Sequence, residues 1–190
     1  MAINLTKGSK IDIINESQIG SKIFVVGLGW DPNTNSSTNS FDLDASAFLV
    51  GSNGKIINDE YFVFYNNPKS PDGSVIYGGD NRTGLGDGDD EILTIDTSKF
   101  NSEIQQVVFC CSIDEAIAKR QNFSMIENAY IRIYEQNSGT VLATYFLAEE
   151  ATNETAFILG RLLKTSGVWE FEAYPMGYPE GLAQLLEIYA

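Results

Sequence analysis

Alternation of apolar and polar residues over many short segments is the feature that most restricts how this chain of 190 residues can fold. A period of two residues places apolar side chains on one face of a β-strand and polar side chains on the other. Turn residues such as Ser52-Asn53-Gly54 and Asn137-Ser138-Gly139 separate these segments. We therefore expect one domain over residues 1–190, mainly β, built as an antiparallel β-sandwich with a few short helices.

The individual segments can be placed along the chain. Strands are predicted at residues 3–6, 10–14, 22–28, 41–50, 56–57, 60–65, 75–77, 92–95, 106–112, 129–136 and 141–147. A further hairpin is predicted at residues 156–174, turning at Ser166-Gly167, and short helices at residues 113–120 and 180–189. The polar stretch 32–40 is predicted to be a surface loop.

Charge and residue usage exclude several classes of function. The chain has 12 basic and 26 acidic residues, a net charge of −14, which argues against nucleic acid or anionic lipid as the partner. It contains no His, so catalysis by Ser–His or Cys–His pairs is excluded. Its two cysteines, Cys110 and Cys111, are adjacent in a predicted strand and are interpreted as buried apolar residues. No segment resembles a signal peptide or a membrane span.

The negative charge is concentrated in residues 31–44 and 72–91, which together carry −8 of the −14. In the strand that contains Asp42 and Asp44, both carboxylates lie on one face, roughly 6–7 Å apart. That spacing can flank a hard cation, although a solvated polar face is an equally ordinary explanation.

The second acidic segment, residues 79–91, combines four glycines with carboxylate, amide and hydroxyl side chains. Calcium takes six to eight oxygen ligands from such mixed sources, whereas magnesium, the second choice of metal, prefers fewer carboxylates and more water. The spacing of an EF-hand is absent. An acidic surface turn is the alternative interpretation.

Several separated motifs, in order along nearly the whole chain, resemble the TerD family of tellurium-resistance and general stress proteins. The residues that carry this resemblance are Val26-Gly27-Leu28-Gly29-Trp30-Asp31, Phe41-Asp42-Leu43-Asp44-Ala45-Ser46, Asn66-Asn67, Ser70-Pro71-Asp72-Gly73, Gly79-Asp80-Asn81-Arg82-Thr83-Gly84, Gly88-Asp89-Asp90-Glu91 and Arg120-Gln121-Asn122-Phe123.

The resemblance implies a non-catalytic cytoplasmic bacterial protein that binds one or two calcium ions at one end of a β-sandwich. Binding would order a surface for protein partners from a stress or tellurite-resistance operon, at the inner face of the membrane but without insertion into it. Leu85 departs from the family, whose members often have an acidic residue there. The implied ligands are Asp31, Asp42, Asp44, Asp72, Asp80, Asn81, Thr83, Gly84, Gly86, Asp89, Asp90 and Glu91.

The sequence is also compatible with three other functions. The same carboxylates suit a metal-dependent phosphoester hydrolase with two metal ions, for which Arg82 is the cation within the acidic segment. Cys110 and Cys111 suggest direct capture of tellurium or heavy metals. Trp30, next to the acidic segments, suggests stacking on a carbohydrate.

Overall fold

The structure, a computed structural model, describes residues 3–4, 10–12, 23–31, 41–79, 81–84, 88–147 and 153–190. These residues form strands and helices with the following bounds: β1 (Ile3–Asn4), β2 (Lys10–Asp12), β3 (Ile23–Gly29), β4 (Leu43–Val50), β5 (Phe62–Val63), β6 (Val75–Tyr77), β7 (Glu91–Asp96), β8 (Gln106–Ile113), α1 (Ala116–Lys119), β9 (Tyr130–Glu135), β10 (Val141–Phe146), β11 (Ala156–Thr165), β12 (Val168–Tyr178) and α2 (Gly181–Tyr189).

The strands assemble into two six-stranded sheets, so the prediction of a mainly β fold with a few short helices is confirmed. The first sheet has the order β1-β10-β9-β3-β7-β6, and the second has the order β2-β12-β11-β8-β4-β5. Neighbouring strands are antiparallel, except that β1 runs parallel to β10.

One apolar core includes residues of both sheets. Phe24 and Leu28 come from β3 of the first sheet, and Leu43 of β4 and Phe109 of β8 come from the second. Strand β4 is buried along its whole length, so it is not the half-exposed strand that its alternation indicated. Burial on both faces places Asp44, only 9% exposed, away from bulk solvent. The simple explanation of Asp44 as part of a solvated face is therefore wrong.

Helix α2 packs against the second sheet. The ring of Tyr189 lies 5.2 Å from the ring of Phe48, and Leu185 is fully buried. The Lys55 ammonium donates to the backbone carbonyls of Glu187 and Ala190, each at 3.0 Å. A cation at this end satisfies carbonyls that have no partner within the helix and complements the helix dipole.

Local hydrogen bonding changes two of the predicted elements. Residues 59–61 form a 3-10 turn instead of the start of a strand, because the Asn58 side chain accepts a hydrogen bond from the Glu60 amide. The predicted helix at 113–120 is limited to Ala116–Lys119, because Ile113 pairs with Leu43 at the end of β8.

The predicted hairpins are present. Ser166 and Gly167 link β11 and β12 with φ angles of 52° and 86°, the signs that a type I′ turn requires. The turn at 137–139 joins β9 and β10. The predicted loop at 32–40 lies outside the described residues. No helix in the part of the chain that the structure describes is both long and apolar enough to cross a membrane.

Both cysteines are buried, as interpreted from the sequence, with 1% of Cys110 and none of Cys111 exposed. Burial raises the pKa of both thiols, and the carboxylates of Glu91 and Asp44 raise that of Cys111 further. A neutral, enclosed thiol is a poor nucleophile and metal ligand, so the structure argues against metal capture by these residues.

Candidate metal-binding end of the sandwich

Most of the predicted acidic ligands that the structure describes lie at one end of the sandwich, where β3 ends and β4 and β7 begin. Strand register produces this arrangement: Leu28 pairs with Glu91, and Leu43 pairs with Ile113 at the end of β8. The Glu91 side chain joins the two sheets here, since one carboxylate oxygen accepts from the Ala45 amide and the other from the Tyr77 hydroxyl at 2.6 Å. Asp31, Asp42, Asp44 and residues 89–91 therefore lie at the same end of the molecule. Asp72 lies towards the other end of β7, because its carboxylate accepts from Ser74, whose carbonyl accepts from the Asp96 amide.

Asp42 and Asp44 line one cavity of about 200 Å³, as their shared strand face predicted. Asp114, Arg82 and Tyr65 also line it. Asp114 follows β8, and its amide donates to the Asp42 carbonyl at 2.8 Å. Asp114 is not among the residues predicted from the sequence, because only the antiparallel pairing of β4 with β8 brings the beginning of one strand beside the end of the other.

The segment 81–84 is closed by the side chain of Asn81. Its oxygen accepts from the amides of Thr83 and Gly84 at 3.1 and 3.2 Å, and its amide nitrogen donates to Asp90 at 2.7 Å. The other Asp90 oxygen accepts from the Trp30 amide at 3.0 Å. Asn81, Thr83, Gly84 and Asp90, all predicted ligands, thus form one hydrogen-bonded group.

Asp90 lies in a strongly negative environment. Burial raises the pKa of its carboxyl group, a hydrogen bond from the Trp30 amide opposes that shift, and the charges of Asp89 and Asp31 raise the pKa further. Because these carboxylates disfavour one another's ionised forms, a cation placed among them would relieve the repulsion.

Asp89, which precedes β7, is paired with a cation from β9, the strand on the other side of β3 in the first sheet. Its side chain is 4% exposed and lies 2.7 Å from the Arg132 guanidinium, while the Tyr130 hydroxyl donates to it at 3.1 Å. The Arg132 guanidinium is 5.3 Å from the centre of the Tyr134 ring and 5.8 Å from that of Tyr130. Burial and the Asp89 charge raise the pKa of Tyr130 to about 12.

Two glycines of β3 make room for this arrangement. A β-carbon at Gly27 would overlap the Asp89 carboxylate, and one at Gly29 would lie 2.5 Å from the Tyr130 ring. Gly27 pairs with Arg132 and Gly29 with Tyr130 across β3 and β9. Two glycines on one face of a strand indicate that large side chains pack against that face. The sequence alone does not show that these side chains are Asp89 and Tyr130.

Asp31, Asp72 and Glu91, three further predicted ligands, also have partners within the protein. The Asn128 side chain donates to the exposed Asp31 at 2.6 Å. The Asp72 carboxylate accepts four hydrogen bonds, from the Ser70 hydroxyl, from the amide and hydroxyl of Ser74 and from the Asn101 amide. Glu91 makes the contacts between the sheets. Their roles as metal ligands stay predictions.

The fit of a metal ion can be tested on the donor chemistry. Carboxylate, amide and carbonyl oxygens are what calcium and magnesium prefer, and the imidazole that transition metals prefer does not occur in the chain. Within the described ranges, no three acidic or Cys side chains come close enough to hold an ion. Asp80 and Gly86, with Leu85, lie outside the described residues. The donors fit calcium, and the described ones do not form a complete coordination group.

Trp30 is 3% exposed, so its ring is not available to stack on a carbohydrate. Its indole nitrogen would lie 2.5 Å from a β-carbon at Gly84, whose φ angle is +65°. Trp30 therefore packs beneath the acidic segment, and the carbohydrate-binding interpretation has no support at this residue.

The profile of the TerD domain matches residues 1–189 of the chain. The tellurium resistance protein TerD of Serratia marcescens is 43% identical over 189 residues, which is 100% of this chain and 97% of that protein. General stress protein 16U of Bacillus subtilis is 41% identical with the same coverage of both chains. The crystal structure of a TerD homologue from Streptomyces coelicolor A3(2) superposes with a TM-score of 0.73 at 23% identity, covering 88% of this chain and 96% of that one.

Proposed function

Because this chain belongs to the TerD family, we propose that it is a non-catalytic stress-response protein of the tellurite-resistance type that binds calcium at the acidic end of its sandwich. The observation that carries the proposal is the cavity lined by Asp42, Asp44 and Asp114. A cation bound in this cavity would offset the negative charge of its three carboxylates, of which Arg82 in the same lining offsets a part.

The proposal assigns the residues to two neighbouring groups. Asp42 and Asp44, joined by Asp114, would hold one ion, and the segment with Asn81, Asp89 and Asp90 would hold a second. Calcium would supply the positive charge that draws these carboxylates together. Asp80 and the backbone of Gly84 and Gly86 complete the proposed donors, and magnesium is the alternative ion.

The expected biological role follows from the family. We propose that calcium orders the acidic end into a surface that binds a protein partner encoded with stress or tellurite-resistance genes. The proposed location is the cytoplasm, at the inner face of the membrane. The names of the relatives support the link to tellurium and stress, and they name no catalytic activity.

Calorimetric titration of the chelator-treated protein with calcium tests the proposal, with magnesium as the competing ion. We expect saturable binding of one or two calcium ions that is lost or strongly weakened in Asp42→Asn. Asp59→Asn is the matched control, because Asp59 is exposed in the 3-10 turn and does not line the cavity. No binding heat, together with an unchanged melting temperature, would overturn the proposal.

The presence of Arg82 in the carboxylate cavity is the one observation that favours the phosphoester hydrolase, since a guanidinium can clamp a phosphate. A panel of phosphodiester and nucleotide substrates with magnesium or manganese distinguishes the two functions. We expect no turnover, and turnover that disappears in Asp42→Asn would replace the binding function with the enzymatic one.

A further inference from the structure

A second, larger cavity of about 460 Å³ lies beside the carboxylate cavity. Its floor includes Asp44 and Ser112, which are neighbours across β4 and β8. Its walls come from residues around α1 and from the beginning of α2, and most of its lining is apolar. The volume lies within the range of pockets that bind small organic molecules, roughly 300–1,000 Å³.

The charged groups of this cavity are all of one sign. Asp44, Asp114, Glu115 and Glu180 line it, and none of its described lining residues is basic. Lys119 lies 3.0 Å from Asp114 and 3.5 Å from Glu115, so it offsets part of this charge. Arg82, which lines the neighbouring cavity with Asp44 and Asp114, offsets a further part. An anion would be repelled here, whereas a cation would be attracted.

The apolar wall excludes a bare metal ion as the occupant of the whole cavity. Ile117 is 73% exposed at this wall, and Leu182 faces the same space from α2. Hydrocarbon side chains offer no ligand to calcium, but they gain free energy when an alkyl chain covers them. A molecule that satisfies both features carries a positive head and an aliphatic body.

We propose that this cavity binds a small aliphatic amine, with its ammonium group towards Asp44, Asp114 and Glu180 and its alkyl chain against Ile117 and Leu182. The site goes beyond the proposed calcium function and does not depend on it, although Asp44 lines both cavities. A primary ammonium donates three hydrogen bonds, so it can contact more than one of the carboxylates that line the cavity.

The test is a titration of the full chain, in the presence of a chelator, with hexylammonium chloride, followed by calorimetry and by NMR of the Ile and Leu methyl groups. Three matched probes separate the contributions: hexanol lacks the charge, hexanoate reverses it and ammonium chloride lacks the chain. We expect saturable binding of hexylammonium alone, with shifts of the Ile117 and Leu182 methyl groups. A response to hexanol or to ammonium as strong as that to hexylammonium would overturn the proposal.

Variants at exposed positions locate the site. Glu180→Gln should weaken hexylammonium binding about two- to fivefold, as expected for a partly exposed ion pair. Ile117→Ser should weaken it about fivefold or more through the lost apolar contact. Glu187→Gln, an exposed position at the other end of α2, is the control and should leave binding unchanged. Binding that is equal in all three variants would place the amine elsewhere and overturn the proposal.

Discussion

Gly27 is the residue at which the acidic end depends most directly on a missing side chain. Its hydrogen occupies the space beside the Asp89 carboxylate, which is paired with Arg132. Gly27→Ala should displace that carboxylate and lower the free energy of unfolding by about 1–3 kcal/mol. Gly51→Ala is the matched control, because a β-carbon there has its nearest neighbour at an ordinary 3.5 Å. Urea unfolding of both variants checks the difference, and equal stabilities would contradict the packing described here.

Asp72 has a role that a substitution can separate from metal binding. Burial raises the pKa of its carboxyl group, but hydrogen bonds from Ser74, Asn101 and Ser70 outweigh burial and hold the pKa below 3.8. Its stabilising contribution is therefore present above that pH and is lost as the pH falls through the folded-state pKa. Asp72→Asn should lower the free energy of unfolding by about 1–2 kcal/mol near neutral pH.

The same variant gives two further readouts. The stability difference from the original protein should shrink as the pH falls from about 4 through the folded-state pKa, because Asp72 loses its charge over that range. Calcium stoichiometry by calorimetry should stay the same if the hydrogen bonds are the main role of Asp72. A lost calcium site with unchanged stability would instead make Asp72 a ligand.

At the scale of elements, the hairpin between β11 and β12 contains a position, Ser166, where a substitution should increase the stability of the protein. Ser166 has a φ angle of 52°, a left-handed conformation that asparagine adopts more readily than serine. Asn-Gly is the preferred pair for a type I′ turn, so Ser166→Asn should raise the free energy of unfolding by about 0.5–1 kcal/mol. Thermal unfolding measures the change, with Ser138→Asn in the other hairpin as a comparison. A lower melting temperature for Ser166→Asn would mean that the turn is not of this type.

The strands and turns that could be predicted from the sequence are those that a local pattern of residues determines. The alternation in β7, β9 and β10 and the turns at 137–139 and 166–167 depend on residues near in sequence, and the structure confirms them. The parallel pairing of β1 with β10, the contact of Glu91 with β4 and the pairing of Arg132 with Asp89 join distant segments. No local pattern in the sequence encodes contacts between distant segments. The acidic segments could therefore be predicted, but their partners Ala45 and Arg132 could not.

At the scale of the whole molecule, the net charge of −14 gives every cation some stabilising effect through screening. Site binding can be separated from screening by comparing calcium chloride with sodium chloride at equal ionic strength. We expect the melting temperature to rise more with calcium chloride than with sodium chloride, because an ion bound to the folded state at about 100 times its Kd adds about 2.7 kcal/mol. Equal shifts with both salts would mean that screening alone is responsible.

Because the two adjacent cysteines are buried, their reaction with a thiol reagent can report how often the second sheet opens. Cys110 and Cys111 lie in β8, which is paired on both sides within the second sheet, and neither side chain reaches solvent. A thiol-specific reagent can reach them only when that central region separates, so the labelling rate follows the population of opened molecules. This member of a tellurium-resistance and stress-protein family thus keeps both thiols where an oxidant reaches them only after the second sheet has opened.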